Sequence, residues 1–408
     1  MTAGQHKPHE PSAAGPDPYD VAVVGAGLVG AAAALALGRT GLRVALIDSR
    51  RPRPTTGELG FDIRSVALSR ASLDLLGVDI PASPIDQMCV WEEYGGSRLT
   101  FSANEAGVDA LAWMVESSRA RAALFDECMG LPNVDWIEGV VGGIVSRDTA
   151  VTLEFEEDPV SARLLLAADG ADSKVRKSTG TGLVDRGGSD AAVATVVRVE
   201  QAHRGIAYQR FSDAGPLALL PLADPSCCAV IWSTRHDTAN ELATLDDTAF
   251  AAALEGTSEL VLGRIAEVDR RFLFPLPQRV VQDFNPKPRI LFIGDAAHTL
   301  HPLAGQGVNL GLEDVACIAG EVQRDSGDPG RPGRWRGFAL RRRTRAEAMI
   351  ALMRGFRDGY ACSGPVGRWI RNSGVRLIDA APAIKRQLVR EAMGVGVLSR
   401  FARTPSAR

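Results

Sequence analysis

Short apolar runs that end in a glycine turn recur along this chain and set its predicted architecture. They occupy residues 21–24, 164–168 and 290–293, and each is followed by a small-residue turn and a helix-forming or polar stretch. A short apolar run bounded by turn residues is consistent with a buried strand, and the stretch behind the turn with a helix. The pattern therefore predicts an α/β fold whose strand ends carry the polar residues.

The first run opens a nucleotide-binding pattern. The glycine turn of residues 25–30 (GAGLVG) precedes a helix-forming stretch, and a second apolar strand ends at Asp48, eighteen positions beyond Gly30. Glycines let a pyrophosphate approach the helix N-terminus, where unpaired amides favour negative charge, and a carboxylate at this spacing accepts from a ribose hydroxyl. The pattern predicts a dinucleotide site without separating FAD from a nicotinamide cofactor, and an ordinary glycine turn is the alternative. The candidate residues are Gly25, Gly27, Leu28, Val29, Gly30 and Asp48.

The last run delivers another carboxylate into a glycine-rich segment. Residues 290–311 read ILFIGDAAHTLHPLAGQGVNLG, so that Asp295 emerges at the carboxyl end of the strand. Gly305, Gly307 and Gly311 would let backbone amides approach a ligand closely at a helix start. On residue types alone the segment is predicted to bind a polar ligand, with a merely structural glycine and proline loop as the alternative.

This last segment resembles the Gly-Asp motif of the FAD-dependent aromatic hydroxylases of the para-hydroxybenzoate hydroxylase type. Its continuation, residues 301–314 (HPLAGQGVNLGLED), is similar to the narrower signature of the ubiquinone-biosynthesis hydroxylases. Residues 164–176 (LLLAADGADSKVR) resemble the Asp-Gly motif of the same family and stand between the other two motifs, as they do there. The resemblance extends from Tyr19 to about Gly394. It implies a discontinuous Rossmann-like FAD-binding domain with a β-sheet substrate domain and C-terminal helices.

The resemblance assigns roles within the last two motifs. It implies that Asp295 hydrogen-bonds the ribityl chain of FAD and that the amides of residues 307–309 face the pyrimidine end of the isoalloxazine. Asp169 is expected near the pyrophosphate, with Arg176 close by. The candidates from these motifs are Asp169, Gly170, Gly294, Asp295, Pro302, Gly305, Gln306, Gly307, Val308 and Asn309.

Two arginines complete the expected cofactor contacts. Arg64 lies in a segment, residues 62–69, that resembles a family segment whose arginine is near the flavin; a surface ion-pairing arginine is the alternative. Where relatives carry Glu-Asn-Arg before a flavin-contacting helix, this chain has Glu-Ser-Ser-Arg at residues 116–119. Arg121 is the predicted substitute on the adenine side.

The order of the motifs implies that the FAD-binding portion is interrupted by the substrate domain. Strand-like runs between the second and third motifs are expected to form a sheet with one face turned to the flavin. The predicted boundaries are a disordered tail (1–18), FAD-binding segments (19–87, 102–182 and 281–325), strands joining the substrate sheet (88–101), the substrate domain (183–280) and a C-terminal helical region (326–408).

The activity implied by the resemblance is hydroxylation of an aromatic ring, in which NADPH or NADH reduces the flavin and oxygen supplies the inserted atom. A polyprenylated phenol of ubiquinone biosynthesis is the expected substrate. Leu217 and Leu219 suit such a ring, although simple core packing is the alternative for both. No catalytic residue is assigned, since His298 and His301 in the flavin loop are expected to make structural hydrogen bonds and His203 has no predicted role.

Composition narrows the remaining possibilities. A net charge of -3 over 408 residues gives no footprint for nucleic acid, and six cysteines without a Cys-x-x-Cys pair suggest neither a metal site nor a disulfide framework. The sequence predicts a cytoplasmic enzyme, with possible peripheral attachment to the inner membrane or to a quinone-biosynthesis complex. A reductase or dehydrogenase acting on prenyl chains and a non-catalytic component of such a complex are the alternative functions.

Overall fold

The computed structural model describes residues 17–93, 98–187, 190–300 and 306–361, without the side chains of residues 306, 353 and 356–361. The predictions for Pro302, Gly305, the side chain of Gln306 and most of the N-terminal tail lie outside the described residues. The strands are β1 (Tyr19–Val24), β2 (Val44–Asp48), β3 (Ser65–Leu68), β4 (Ala82–Ile85), β5 (Gln87–Glu92), β6 (Arg98–Ser102), β7 (Ala112–Glu116), β8 (Val134–Glu138), β9 (Gly143–Ser146), β10 (Val151–Glu154), β11 (Val160–Ala167), β12 (Leu183–Asp185), β13 (Asp190–Val199), β14 (Ile206–Ser212), β15 (Gly215–Pro221), β16 (Cys227–Arg235), β17 (Ile265–Val268), β18 (Phe272–Pro275), β19 (Arg279–Val281), β20 (Ile290–Phe292) and β21 (His298–Thr299). The helices are α1 (Leu28–Gly38), α2 (Arg70–Leu76), α3 (Ala103–Ala106), α4 (Ser117–Met129), α5 (Lys174–Ser178), α6 (His236–Thr244), α7 (Asp247–Ser258), α8 (Gln306–Arg324) and α9 (Arg336–Ala361), and a 3-10 turn spans Gly294–Ala296.

The first sheet is built from the apolar runs. Its strand order is β8-β2-β1-β11, with β20 beside the second half of β11 and the antiparallel β10 and β9 beside the first half. The strands β8, β2, β1, β11 and β20 run parallel to one another. Their central residues are fully buried because helices cover the sheet, as expected for parallel strands that read as continuous apolar runs.

The second sheet has the order β17-β13-β16-β15-β14-β5-β6, with β18 also paired to β13; all of its strands except β5 and β6 lie between the last two motifs of the sequence. The side chains along its strands point alternately into two apolar clusters. On β16, Cys228, Val230 and Trp232 pack against α6 and α7 in what we call the outer cluster. The residues between them, Cys227, Ala229 and Ile231, belong to the inner cluster. The strand alternation thus gives the sheet two buried faces.

The inner cluster joins the second sheet to a small sheet of order β3-β7-β4. Ile63, Ala67 and Met114 from that small sheet and its flank pack in the same cluster as Ala194 and Leu222 from the second sheet. The α/β prediction with a β-sheet insert is therefore confirmed. The domain boundaries themselves stay a prediction. No helix in the described part of the chain has the length and apolar character needed to cross a bilayer.

Candidate functional site

Four strand ends meet at one edge of the first sheet. Val24 of β1 is paired with Ile47 of β2 and with Ala167 of β11, and Ala167 is paired with Phe292 of β20. The pairing continues past the strands, since the amide of Ile293 donates to the carbonyl of Ala167 at 3.0 Å. The three motifs that are far apart in sequence consequently converge at the carboxyl edge of the sheet, where ligands bind in open α/β folds.

The glycines of the first motif divide into two kinds. Gly25 has φ of +106°, and a Cβ there would lie 2.3 Å from the carbonyl oxygen of Ala168; a Cβ at Gly30 would lie 1.8 Å from the carbonyl oxygen of Gly25. Both are therefore required by the fold. Gly27 differs, because it precedes the first turn of α1, no side chain caps that helix, and a Cβ there would meet no atom within 4 Å. Open space thus lies in front of a helix N-terminus, which favours an anion.

Asp48 and Arg121 both bind the backbone of the glycine turn. One oxygen of Asp48 accepts from the amide of Ala26 at 2.7 Å, and the other from the amide of Ser49 at 2.6 Å. Arg121, on α4, donates from Nε to the carbonyl of Ala26 at 3.4 Å. The structure thus brings the two residues predicted for the adenosine side to the same turn, where Asp48 retains lone pairs for a ribose hydroxyl.

The Asp-Gly motif leaves one carboxylate oxygen unsatisfied. Oδ2 of Asp169 accepts from the amide of Val175 at 3.1 Å, whereas Oδ1 is buried and has no partner in the described part of the chain. Arg176 connects this motif to the next one, because its guanidinium donates to the carbonyls of Ala171 at 2.6 Å and Ala296 at 2.9 Å. A buried carboxylate oxygen without a partner is an expected feature of a ligand site.

Asp295 lies at the same edge, and we call the space in front of these strand ends the cleft. The side chain of Asp295 is exposed, and desolvation raises its pKa, an effect that nearby His298 partly opposes. The amide of the adjacent Gly294, which has φ of +56°, donates to Oδ2 of Asp314 at 2.9 Å. This hydrogen bond fixes the backbone immediately before Asp295.

The start of α8 presents amides to this cleft. Gly307 and Val308 lie in the first turn of α8, where helix amides lack intrahelical partners, and a Cβ at Gly307 would meet no atom within 4 Å. Gly311 is needed for a close approach, since a Cβ there would lie 2.6 Å from Val29 and 3.1 Å from Gly294. Both α1 and α8 therefore point their N-termini towards the same edge of the first sheet.

The side chain of Asn309 holds α8 in place. Its Nδ2 donates to the carbonyl of Ala67 at 2.8 Å, and its Oδ1 accepts from the amide of Ser69 at 2.9 Å and from Oγ of Ser72 at 2.7 Å. The amide group thus clamps the helix to β3 and α2.

Arg64 stands beside the start of α4. Its carbonyl accepts from the amide of Ser117 at 2.9 Å, and Asp62 accepts from the amides of both Arg64 and Ser118. The side chain of Arg64 is exposed and makes no ion pair or hydrogen bond within the described part of the chain. This geometry does not support the alternative of a surface ion-pairing arginine.

Sequence reasoning missed a buried charge network beneath the cleft. Asp314 is fully buried and accepts from Nε2 of His298 at 2.7 Å and from the guanidinium of Arg342, which is itself 1% exposed. Arg342 also binds Glu313 at 3.0 Å and the carbonyl of Leu310 at 2.9 Å. The sequence shows two adjacent acids at the end of the third motif, Glu313 and Asp314, but residue types alone do not show that Asp314 is buried and therefore needs a buried partner.

The structure places Leu217 and Leu219 away from the cleft. Both are 2% exposed and pack in the outer cluster with Trp232 and with Phe250 of α7. Leu220, the residue after Leu219 on β15, points to the other face and packs against the inner cluster instead. The side chains of Leu217 and Leu219 therefore lie on the sheet face opposite to β3, which corrects their assignment as substrate contacts in favour of core packing.

An extended dinucleotide of the FAD type fits the residues at this edge. The open space in front of Gly27 suits a diphosphate, and the carboxylates of Asp48 and Asp295 suit hydroxyl groups at either side of it. Between them, Oδ1 of Asp169 has no partner among the described residues. Amides in the first turn of a helix lack intrahelical partners, so the start of α8 suits a further acceptor. Four strand ends with donors and acceptors in this order are what a long, polar cofactor requires.

Comparisons with known proteins agree with this geometry. A family model described as an FAD binding domain matches residues 18–78 and 145–350. A ubiquinone hydroxylase, UbiL, of Rhodospirillum rubrum is 33% identical, with 94% of this chain and 93% of that protein covered. A 3-demethoxyubiquinol 3-hydroxylase of Escherichia coli is 29% identical, with 93% and 99% covered.

A solved structure shows the same fold. The crystal structure of p-nitrophenol 4-monooxygenase PnpA from Pseudomonas putida superimposes with a TM-score of 0.75 at 20% identity, covering 93% of this chain and 99% of that chain. The fold, the matched family model and the curated relatives point to one assignment. The chain belongs to the FAD-dependent hydroxylases of the ubiquinone-biosynthesis family and is an FAD-dependent aromatic-ring monooxygenase.

Proposed function

We propose that this enzyme hydroxylates the ring of a polyprenylated phenol in ubiquinone biosynthesis, with NADPH or NADH and O₂ as co-substrates. The observation that carries the proposal is the position of Ala67. Its carbonyl accepts from Asn309 at the start of α8, and its side chain belongs to the inner cluster beneath the second sheet. Ala67 thus contacts both the start of α8, at the edge of the first sheet where FAD would bind, and the apolar inner face of the second sheet.

The inner cluster supplies what a prenylated ring needs. Its side chains are apolar and include the flexible Met88 and Met114 beside Phe61 and Leu220. Such a surface excludes water, and methionines adapt to irregular apolar ligands. A ring held between this face and the start of α8 would be oriented towards the edge of the first sheet where FAD would bind. Holding the ring in this geometry would lower the entropic cost of the reaction.

The protein's contribution is positioning rather than acid–base catalysis. Bound FAD would supply the redox chemistry and the activated oxygen. His298 is tied to Asp314, and Nε2 of His203 lies 3.1 Å from both the carbonyl of Leu222 and that of Asp224. Both histidines are thus engaged in structural hydrogen bonds, which agrees with the absence of a histidine general base among the assigned roles. Asp48, Asp169 and Asp295 would hold the cofactor, and the inner cluster would hold the ring.

Peripheral association with a membrane or with a quinone-synthesis complex is part of the proposal, because a polyprenylated substrate partitions into the bilayer. Leu340 on α9 is 69% exposed and Leu352 is 51% exposed. These exposed leucines on a helix that also carries arginines support attachment to a lipid or protein surface.

Product analysis tests the proposed activity. The purified enzyme is expected to carry the absorption spectrum of bound FAD and to oxidise NAD(P)H faster when a prenylated phenol is added, with one atom of ¹⁸O₂ recovered in the ring of the product. Reduction of the prenyl substrate without oxygen incorporation would establish the reductase alternative. A colourless protein without turnover after FAD addition would establish the non-catalytic one.

Replacing Asp295 with alanine is expected to weaken FAD binding by about 1–3 kcal/mol, because a polar group of the cofactor would lose its acceptor. The measurement is titration of the apoprotein with FAD, followed by quenching of flavin fluorescence. Asp158→Ala, at an exposed residue in the loop between β10 and β11, is the matched control and should bind FAD normally. If Asp295→Ala binds FAD as tightly as the control, Asp295 does not contact the cofactor.

A further inference from the structure

Gln209 is a buried polar side chain on an apolar sheet face. It lies in the middle of β14 and is 5% exposed. Ala207 belongs to the inner cluster, whereas Tyr208 packs against the outer cluster. Because side chains alternate along a strand, Gln209 is on the inner face with Ala207, the face turned to β3 and the start of α8.

The residues paired with Gln209 on that face are apolar. Gln209 stands opposite Val90 on β5 and Ala218 on β15. Ala218 is paired with Ile231, and Ile231 with Ala194. Directly paired residues share a face, and so Gln209 is the single amide in a row of small and aliphatic side chains. Sheet packing alone gives no reason for a polar residue there.

The amide of Gln209 makes no hydrogen bond within the described part of the chain, and its atoms are not sealed from solvent. Its neighbour Arg210, on the outer face, donates to the carbonyl of Thr257 and pairs with Glu259 at 3.1 Å, although its Nε has no partner in the described part of the chain. The buried amide of Asn309 is hydrogen-bonded at both ends. Buried polar groups are normally paired, and an unpaired one on the sheet face turned to the start of α8 points to a ligand.

We propose that Gln209 hydrogen-bonds an oxygen substituent of the aromatic ring and thereby sets which ring carbon faces the cofactor. The inference rests on the proposed function. A carboxamide offers one neutral acceptor and two neutral donors, which fits a phenolic hydroxyl or a methoxy oxygen. Gln209 would anchor the polar end of the substrate while the apolar residues around it hold the prenylated remainder.

Replacing Gln209 with methionine tests this role, because methionine has a similar length but cannot form these hydrogen bonds. The Gln209→Met variant is expected to bind FAD normally, to bind the phenol about tenfold more weakly, and to convert a smaller share of the oxidised NAD(P)H into hydroxylated product. Phenol affinity is measured by the perturbation of the flavin spectrum. Gln201→Met, at an exposed glutamine outside the sheet, is the matched control and should behave as the wild type.

A substrate analogue separates recognition from a general packing effect. For an analogue in which the recognised ring oxygen is replaced by hydrogen, the wild type and Gln209→Met should bind equally, because the hydrogen bond is absent in both. Equal loss of affinity for phenol and analogue would overturn the proposal, as would an unchanged phenol affinity. A second variant, Gln209→Asn, keeps the amide on a shorter side chain and should change the product ratio among ring positions; an unchanged ratio would count against the proposal.

Failure of this inference differs from failure of the proposed function. A wild type that holds FAD but forms no hydroxylated product refutes the proposed function. A wild type that hydroxylates the phenol, together with a Gln209→Met variant that binds and couples normally, refutes only the role of Gln209.

Discussion

Replacing Gly27 with threonine is expected to weaken FAD binding strongly while leaving the fold intact. Gly27 has φ of -70° and ψ of 179°, an extended conformation that threonine adopts readily, and a Cβ there would meet no protein atom within 4 Å. Threonine and glycine are also similarly tolerated before a helix. The folded state should therefore accept the substitution with little change in stability.

The same side chain would remove the anion site in two ways. It would occupy the space in front of α1, and its hydroxyl would accept from the helix amides that a diphosphate requires. We expect FAD affinity to fall roughly 100-fold or more, about 2.8 kcal/mol. The check is the flavin content of the purified variant and its titration with FAD, together with a thermal melt of the apoprotein.

Substitutions at two other glycines serve as controls for this prediction. Gly256, inside α7, also has no atom within 4 Å of its Cβ position, so Gly256→Thr should leave FAD binding unchanged. Gly25→Ala should instead destabilise the protein itself, since its φ is +106° and the new Cβ would lie 2.3 Å from a carbonyl oxygen. A Gly27→Thr variant that purifies fully yellow would contradict the placement of the diphosphate.

The convergence of the strand ends could be predicted from the sequence because each motif carries its own local signal. An apolar run that stops at Gly25, Asp169 or Asp295 places a glycine turn or a carboxylate at the carboxyl end of a buried strand, and the family resemblance supplied the order of those strands. The sheet then brings the motifs together through main-chain pairing, which needs no particular side chains. This part of the site was therefore recoverable from residue types and spacing.

The face of the second sheet could not be predicted in the same way. Alternation shows that Leu217 and Leu219 share one face of β15 and that Leu220 lies on the other, but both faces are buried, so hydrophobicity does not tell them apart. The distinction arises because α6 and α7 cover one face and β3 the other. The sequence shows that residue 209 is a glutamine, but whether its side chain has a hydrogen-bond partner depends on the tertiary structure.

The network beneath the cleft depends on contacts between segments that are distant in sequence. Arg342 lies on α9, 28 residues beyond Asp314, inside a run of arginines that reads as a solvated helix face. Its neighbours Arg341 and Arg343 are partly exposed, whereas Arg342 is 1% exposed. No local pattern distinguishes the three, because burial is decided by which side of α9 packs against α8.

Replacing Arg342 with methionine is expected to destabilise the protein by about 3–5 kcal/mol at neutral pH, since the carboxylate of Asp314 would stay buried without its cation. Burial alone would raise the pKa of Asp314, but Arg342, His298 and the amide of Gly294 outweigh it and hold the pKa below its usual range. An acid with a depressed folded pKa contributes stability above its unfolded pKa and loses that contribution as the pH falls through the folded value.

In the variant the sign of this contribution reverses. Burial then outweighs the weaker remaining partners and raises the pKa of Asp314, so the protein is more stable when Asp314 is protonated. The stability gap between Arg342→Met and the wild type should accordingly narrow as the pH is lowered, which urea unfolding at a series of pH values would measure. Arg341→Met, the same change one residue earlier on α9, should show neither effect. Because Asp314 also binds the amide of Gly294 beside Asp295, the Arg342 variant should lose FAD affinity as well. A variant that is destabilised equally at every pH would mean that Arg342 acts through packing and not through the charge of Asp314.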